Sequence, residues 1–292
     1  MKIPSRILAS ILGAAILLSL AGCGGKPAEP KEQEGLQGRE EDAASRQEEE
    51  APKTDREIPD RIGDLSPRAV AFAFTEALAG QESYLAEMQG VTEAKVLFLN
   101  YRQQISGDTM KSGDEVYFTS LSSSALLKTH HEAYRSGDRV AYRDDDSSAP
   151  TVTDLRGYDE IYGFTPTEPQ LCGFLVTEES LLSAQFLREE RADEGDPRLL
   201  VYSFTLDGNA GGEALKRQMV KFGGLTETPV FSSVQIEVTM RQDLSPVSTS
   251  VRVEYETEMP LLGRIACTQS LRTDYRSVGE PVSLPSDPVW KA

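Results

Sequence analysis

The sequence contains few of the residues that build catalytic and metal centres. Its 292 residues include two histidines, three cysteines and one tryptophan. It lacks the patterns Gly-x-Ser-x-Gly, His-Glu-x-x-His and Cys-x-x-Cys, and it has no glycine-rich phosphate loop. We therefore predict that the protein is not an enzyme and that it holds neither a cofactor nor a metal ion.

Basic residues are also scarce relative to acidic ones. The chain has 30 lysine and arginine residues against 47 aspartate and glutamate residues, a formal net charge of −17 at pH 7. Nucleic-acid binding depends on basic patches that neutralise phosphates, so this charge excludes nucleic acid as a partner. With 39% hydrophobic and 26% charged residues, the composition excludes collagen-like, coiled-coil and polytopic membrane proteins and indicates an acidic globular protein.

Three short polar runs are the remaining candidates for a chemical site. His130 and His131 are adjacent, and adjacent side chains of a strand point to opposite faces, so they cannot bind one metal ion together. We predict that they lie on a surface hairpin. The acidic run 144–146 lacks the alternating spacing of a calcium loop and predicts a solvated loop. The glutamates at 178–179 predict a turn and not an acid-base pair.

The first 23 residues form a secretory signal. Lys2 and Arg6 precede an apolar run over residues 7–20, which is shorter than the roughly 20 residues that span a bilayer. The run ends in Leu20-Ala21-Gly22-Cys23, which resembles the lipobox of bacterial lipoproteins. The resemblance implies that residues 1–22 are removed and that the Cys23 sulfur carries lipid, including palmitate. It places the protein on the extracytoplasmic face of the cell membrane, held by its lipid anchor. An ordinary signal peptide or an uncleaved helix is the alternative.

Residues 24–63 predict a disordered acidic tether behind the lipidated cysteine. The segment contains acidic runs at 40–42 and 48–50, several prolines and no aromatic residue, so it cannot bury enough apolar surface to fold. A flexible chain of this length spans about 35 Å. A charged helix over residues 39–50 is the alternative, but isolated helices that short are marginal in water. A single folded domain is expected over residues 64–292.

Two helices are predicted in this domain. Ser66 is a good N-cap and Pro67 fits the first helical position, and the apolar residues that follow recur at helical spacing until Gly80. A second apolar stripe at helical spacing covers residues 212–222 and ends at the glycine pair 223–224.

Most of the remaining domain alternates apolar and polar residues with the period of a strand. The clearest alternation predicts an antiparallel meander of three strands at the C-terminal end, over residues 234–240, 251–257 and 265–275. Further strands are expected at 94–105, 115–121, 131–134, 139–143, 171–177 and 199–206. Gly-Asp pairs at 107–108, 113–114 and 137–138 predict hairpin turns.

This order of elements resembles a known group of lipid and lipoprotein carriers. The segments that carry the resemblance are residues 199–208, which enter the second helix, and residues 245–255 of the meander. They are similar to the half-barrel of the LolA, LppX and LprG group, and also to single-domain lipoproteins of Gram-positive bacteria. The resemblance implies an α+β fold, a large curved antiparallel sheet with an N-terminal helix and one interposed helix. In the carriers, a concave apolar face covered by helices receives acyl chains.

Two functions follow from that resemblance. The first is a membrane-anchored binding module for a lipid or another apolar ligand. The alternative is a protein-interaction or scaffold lipoprotein of the cell envelope, whose core is filled and takes no small ligand. No single residue of this sequence can be matched to a ligand contact in the carrier group.

Cys172 and Cys267 both lie in apolar runs of the exported domain. If they form a disulfide, it closes a loop of about 95 residues, worth about 4.5 kcal/mol in the chain-entropy model. The alternative is that both are buried free thiols that act as small apolar residues.

Overall fold

The described part of the chain begins at residue 65. The structure is a computed structural model, and it describes residues 65–96, 99–124, 128–144, 149–164, 173–191, 197–223, 227–259 and 263–285. The predicted signal peptide, Cys23, the tether and Cys172 lie outside these residues.

The described residues form helices and strands in the order α1, β1–β6, α2, β7, β8, α3, α4 and β9–β11. The helices are α1 (Pro67–Ala79), α2 (Leu155–Tyr162), α3 (Gly208–Gly211) and α4 (Glu213–Gly223). The strands are β1 (Ser83–Val96), β2 (Leu99–Ser112), β3 (Glu115–Ser124), β4 (Lys128–Ser136), β5 (Arg139–Arg143), β6 (Thr151–Asp154), β7 (Leu181–Glu190), β8 (Leu199–Leu206), β9 (Val230–Arg241), β10 (Pro246–Met259) and β11 (Gly263–Arg276).

All these strands belong to one antiparallel sheet of 11 strands, in the order β6-β5-β4-β3-β2-β1-β11-β10-β9-β8-β7. Every neighbouring pair is consecutive in sequence except β1 and β11, which bring the two ends of the domain together in the middle of the sheet. β6 and β7 are the two edges, so the sheet is open and not a closed barrel. The predicted fold class, an α+β domain built on a large antiparallel sheet, is confirmed.

Both predicted helices are confirmed. The Ser66 hydroxyl accepts a hydrogen bond from the Ala69 amide at 3.2 Å, and Gly80 caps the other end of α1. The second prediction, residues 212–222, corresponds to α4. The structure adds α2 and α3, which are short. α2 has eight residues, contains Gly157 and begins at the Asp154 N-cap. It therefore has too few apolar residues to show helical spacing in the sequence.

The predicted meander is confirmed as β9, β10 and β11, and the predictions at 115–121, 131–134, 139–143 and 199–206 are confirmed as β3, β4, β5 and β8. The single strand predicted at 94–105 is wrong, since β1 ends at Val96 and β2 begins at Leu99. The turn predicted at 107–108 is wrong as well, because these residues lie inside β2. Gly113 and Gly137, with φ of 59° and 60°, do form the predicted turns.

Two further differences concern the edge of the sheet. The strand predicted at 171–177 is wrong over its described part, where Phe174 forms only an isolated bridge. The Phe174 side chain is buried in the core, and this burial explains the apolar character of the segment. β7 was not predicted, because most of its side chains are exposed and its sequence therefore shows no alternation between buried and exposed positions.

Two glycines near the centre of the sheet permit neighbouring strands to approach closely. Gly90 in β1 and Gly107 in β2 lie on the face that also carries Ile105, Leu271 and Val251. A Cβ atom on Gly107 would collide with the Thr119 carbonyl oxygen of β3, and one on Gly90 would collide with β11. Glycine in a strand interior permits such close approach. We call this face, which also packs against the helices, the inner face.

Candidate functional site

Helices α1 and α4 cover one part of the inner face. Val70, Phe74 and Leu78 of α1 are fully buried, as is Met219 of α4. They form one apolar cluster, the main core, with inner-face residues of the strands. Its most buried strand members include Phe204, Val234, Ile236, Val238 and Met240, all on β8 and β9. The chain's own side chains therefore fill the inner face over these two strands.

Both ends of α1 are attached to neighbouring segments. At its start, the Arg68 guanidinium donates to the Leu181 carbonyl at 2.9 Å and lies 2.5 Å from a Glu178 carboxylate oxygen. Glu178 lies in the turn that was predicted there. Just beyond the other end, the Lys111 ammonium donates to the Gln81 carbonyl at 2.6 Å. The ion pair is exposed and contributes little stability, so these contacts act mainly by positioning α1 across the face.

A second apolar cluster covers the inner face near the β6 edge. Tyr158 and Tyr162 of α2 pack there against Phe118, Ala133 and Val140. We call this group the α2 cluster. Its helix also reaches α4, because the Lys221 ammonium donates to the Asp159 carbonyl at 3.0 Å. The covering helices are thus linked to one another as well as to the sheet.

His131 lies at the centre of the α2 cluster, and the prediction that it lies on a surface hairpin is wrong. Its side chain is fully buried. Nδ1 lies 2.7 Å from an Asp144 carboxylate oxygen, and Nε2 lies 2.8 Å from the Tyr158 hydroxyl. The Tyr162 hydroxyl donates to the same carboxylate at 3.0 Å. His131 and Asp144 therefore meet in one network, in which the imidazole is buried and the Asp144 carboxylate remains 31% exposed.

The partners of His131 indicate its tautomer. A carboxylate only accepts, so Nδ1 carries the proton and donates to Asp144, and Nε2 accepts from the Tyr158 hydroxyl. Burial raises the pKa of Tyr158 well above its usual value, and the Asp144 charge raises it further. The pKa of Tyr162 is raised by the same two causes. Both hydroxyls therefore stay protonated and remain donors, which suits a structural network better than proton transfer.

Across β2, β1 and β11, the inner face carries a band of buried polar side chains among residues of the main core. Gln103 of β2 lies opposite Thr92 of β1, and Thr92 lies opposite Gln269 of β11. We call these three residues the polar row. Each is at most 1% exposed. The Gln103 amide nitrogen donates to the Ser122 hydroxyl of β3.

Several buried polar atoms of this band have no hydrogen-bond partner among the described residues. In the polar row they are Gln103 Oε1, Thr92 Oγ1 and Gln269 Nε2. On the same face the hydroxyls of Ser120, Thr249 and Thr257 are also without a partner. An unsatisfied buried donor or acceptor costs roughly 1–3 kcal/mol. Such atoms are rare in native proteins and each needs an explanation, such as strain, a bound water molecule or a functional role.

The sequence does not predict the polar row when each of its residues is considered by itself. Gln269 stands between Cys267 and Leu271 at alternating positions of β11, where every second residue faces inward. A polar residue in phase with apolar ones is the signal that could have identified it. The same reasoning applies to Thr92, whose inward neighbours along β1 are Gly90 and Ala94.

Cys267 is buried beside the Tyr255 hydroxyl, its opposite neighbour on β10. Burial raises the pKa of the thiol, and the Tyr255 hydroxyl lowers it by a smaller amount. It shares the inner face with Ile265 and Leu271, as the alternation predicted. Cys172 lies outside the described residues, so the Cys172–Cys267 pairing stays a prediction.

The described residues contain neither a metal-binding cluster nor a helix suited to crossing a membrane. No group of three or more histidine, cysteine, aspartate or glutamate side chains is arranged there to hold a metal ion. In the same part of the chain, no helix combines the length and the apolar character needed to cross a membrane.

Comparisons with known proteins give structural matches alone. No protein-family model matches the chain, and no curated protein sequence matches it. A LolA superfamily protein from Nitrosomonas europaea is 12% identical with a TM-score of 0.24, and the match covers 75% of this chain and 96% of that one. An outer membrane lipoprotein-sorting protein domain from Vibrio parahaemolyticus is 8% identical with a TM-score of 0.29, covering 77% and 96%.

A DUF1329 family protein from Desulfovibrio piger is also similar, at 8% identity and a TM-score of 0.27, covering 76% of this chain and 95% of that one. At such identities and TM-scores the three matches carry no inference about the fold, a ligand or a partner, which has to come from the residues of this chain.

Proposed function

We propose that the protein is an extracytoplasmic lipoprotein whose folded domain holds a lipid or another apolar molecule against the inner face of its sheet. The observation that carries this proposal is the set of buried inner-face polar atoms that find no partner in the part of the chain that the structure describes. They lie on a face that is otherwise apolar and is covered by helices. A molecule with an apolar body and a polar group would satisfy both parts of that face.

The position of these atoms favours a site between the two apolar clusters. The main core reaches across the inner face to Ile105 of β2, and the α2 cluster begins at Phe118 of β3. Where the two clusters meet, β1, β2 and β3 present small or polar inner-face residues, among them Gly90, Gly107, Ser120 and Ser122. These side chains fill less of the space next to the sheet than the large apolar side chains of the two clusters do. Ligand pockets commonly combine apolar walls with a few placed polar groups.

The anchor is the second part of the proposal. Leu20-Ala21-Gly22-Cys23 has the form of a lipobox, and two or three acyl chains on Cys23 exceed the single chain that gives only reversible membrane binding. Cys23→Ala is expected to move the protein from the membrane fraction to the soluble or unprocessed pool. Incorporation of a palmitate analogue is expected to disappear with it. Label retained by Cys23→Ala would contradict the anchor.

The ligand-binding proposal is tested by native mass spectrometry of the purified full chain. We expect a protein carrying a co-purified apolar molecule, and displacement of that molecule by a fluorescent fatty-acid analogue. Bare protein that also fails to bind the analogue would contradict the proposal.

Bare protein that fails to bind the analogue would favour the other candidate, a protein-interaction lipoprotein with a filled core. One observation supports this alternative. β7 is an edge strand that pairs only with β8, and Leu182, Phe186 and Leu187 of β7 are 63%, 49% and 42% exposed. An exposed edge strand with apolar side chains can add a strand from another chain.

A further inference from the structure

The β7 edge of the sheet gathers most of the exposed large apolar side chains in the described part of the chain. Four of the seven such side chains lie between residues 175 and 187: Leu175, Leu182, Phe186 and Leu187. The last three belong to β7 itself, and we call them the edge patch. The Phe186 ring packs edge-on against the Tyr202 ring, with 5.3 Å between centroids. Exposed apolar groups of this kind mark contacts with another protein or with a membrane.

The edge patch is poorly suited to receiving a strand from another chain. Leu182 and Leu187 are the extra residues of two β-bulges, because neither pairs with β8 although their neighbours do. A bulge interrupts the ladder and twists the strand, and bulges are one way in which proteins protect a sheet edge from further pairing. Residues 183–186, between the bulges, are shorter than a strand of ordinary length. The edge patch therefore makes its contact through side chains and not through the backbone.

The charged residues beside the edge patch are paired with one another. Arg188, the one arginine of β7, lies 2.6 Å from Glu190 and 3.2 Å from Glu237. Arg198 of the next strand lies near β7 as well, 3.3 Å from Glu189. The net charge of −17 opposes attraction to an anionic surface. The partner of the edge patch is therefore recognised by apolar contact and not by charge.

The predicted tether joins the domain next to the edge patch. The described chain begins at residue 65, and Leu65 packs against the main core. Three residues later, Arg68 donates to the carbonyl of Leu181, the first residue of β7. Residues 65–68 span at most about 11 Å, so the tether enters at the β7 edge. The β6 edge lies at the other end of the 11-stranded sheet, about 48 Å away along the sheet.

We propose that the edge patch docks on the surface of the membrane that holds the Cys23 anchor, with its three side chains inserted among the acyl chains at the interface. This inference rests on the anchor of the proposed function. The predicted tether, residues 24–63, raises the effective concentration of the domain at the bilayer, so a weak apolar contact is sufficient. Phe186 lies opposite Tyr202, which belongs to the main core. The docked edge is thus continuous with the inner face, where the apolar ligand of the proposed function is held.

The test measures how deeply single tryptophans reach into the bilayer. The lipidated full chain is placed in phosphatidylcholine vesicles, either plain or brominated on the acyl chains, which quench only a tryptophan that reaches them. Phe186→Trp and Val152→Trp are made separately in a Trp290→Phe background, so that each protein has one tryptophan. Val152 is the matched control, because it is 45% exposed against 49% for Phe186 and lies on the opposite edge strand, β6.

We expect the brominated lipid to quench at least about half of the emission of the Phe186→Trp protein, because apolar side chains at the interface reach about 5–10 Å deep. The Val152→Trp protein should be nearly unaffected. High salt should not reduce the quenching, because screening acts on charge and not on apolar contact. Adding Leu182→Ser and Leu187→Ser to the Phe186→Trp protein should remove most of the quenching.

Equal quenching of the Phe186→Trp and Val152→Trp proteins would overturn the inference, as would quenching that is lost in high salt or that survives the two serine changes. A Phe186→Trp protein whose emission is quenched neither by brominated lipid nor by acrylamide in the water would show that another chain covers the edge, and would overturn it too. Full chain that fails to float with the vesicles would instead contradict the anchor of the proposed function.

Discussion

The Tyr158 hydroxyl donates a hydrogen bond to His131 Nε2 over 2.8 Å, although the two residues are 27 positions apart and belong to a helix and a strand. This bond attaches α2 to β4 from inside the sheet. The imidazole is held from its other side by Asp144 and lies against the ring of Tyr162, with 4.8 Å between ring centroids. The buried network thus determines where α2 lies on the inner face.

Removing one partner of this network is expected to destabilise the domain. Tyr158→Phe leaves His131 Nε2 without its donor and should lower the free energy of unfolding by about 1–3 kcal/mol. A double-mutant cycle with His131→Leu is expected to give a coupling energy of about 1–2 kcal/mol, measured by urea unfolding. Tyr117→Phe serves as a control, because that hydroxyl donates to Glu132 over 3.3 Å at a part-exposed site. Additive effects of Tyr158→Phe and His131→Leu would show that the bond is not stabilising.

The network could not be predicted from the sequence, whereas the helix at residues 67–79 could. Ser66, Pro67 and Gly80 are local signals, which act within one turn of the helix they delimit. Asp144 and Tyr158 lie 13 and 27 positions from His131, and no periodic pattern connects them. Two adjacent histidines in a polar hairpin therefore indicated exposure, and tertiary contacts buried one of them.

The meander was predictable for a different reason. One of its faces is buried and the other is exposed to solvent. Apolar and polar residues therefore alternate along nearly the whole length of β9, β10 and β11. β7 is exposed on both faces and shows none. The Gly-Asp pair at 107–108 indicated a turn because glycine and aspartate are common in turns, but Gly107 has a different role. Because it lacks a side chain, Gly107 permits β3 to approach closely. This role depends on a partner strand, which the local sequence does not reveal.

A carboxylate in the main core is expected to unfold the domain. Ile236 is fully buried on the inner face, opposite Val251 and Phe204. Ile236→Glu would bury an unpaired charge, at a cost of several kcal/mol. Gln235→Glu is the matched control, because the neighbouring side chain is exposed on the outer face and the change should stay within about 0.5 kcal/mol. Circular dichroism during urea unfolding measures both. An Ile236→Glu protein as stable as the parent would mean that water reaches this part of the inner face.

The Cys267 thiol is expected to resist alkylation in the folded protein. It is 5% exposed, and burial raises its pKa, so little thiolate is present at pH 8. Iodoacetamide should modify it at least about a hundredfold faster in urea than in buffer. Peptide mapping without reductant decides its pairing with Cys172: a linked peptide would support the disulfide, and two separate peptides the free thiols. Fast alkylation of Cys267 in buffer would contradict its burial.

Alkaline pH is expected to destabilise the domain through Tyr84. This side chain is 7% exposed, and burial raises its pKa to about 12. The unfolded value is about 10. The folded state therefore binds the phenolic proton more tightly, so the stabilisation is complete below pH 10 and is lost as the pH rises toward 12. Tyr84→Phe has no proton to lose there. Over that window its free energy of unfolding should fall less steeply than that of the parent, by up to about 1.4 kcal/mol per pH unit. Urea unfolding at pH 7, 10, 11 and 12 measures the difference, with pH 7 as the internal control, and parallel curves for the two proteins would contradict the assignment.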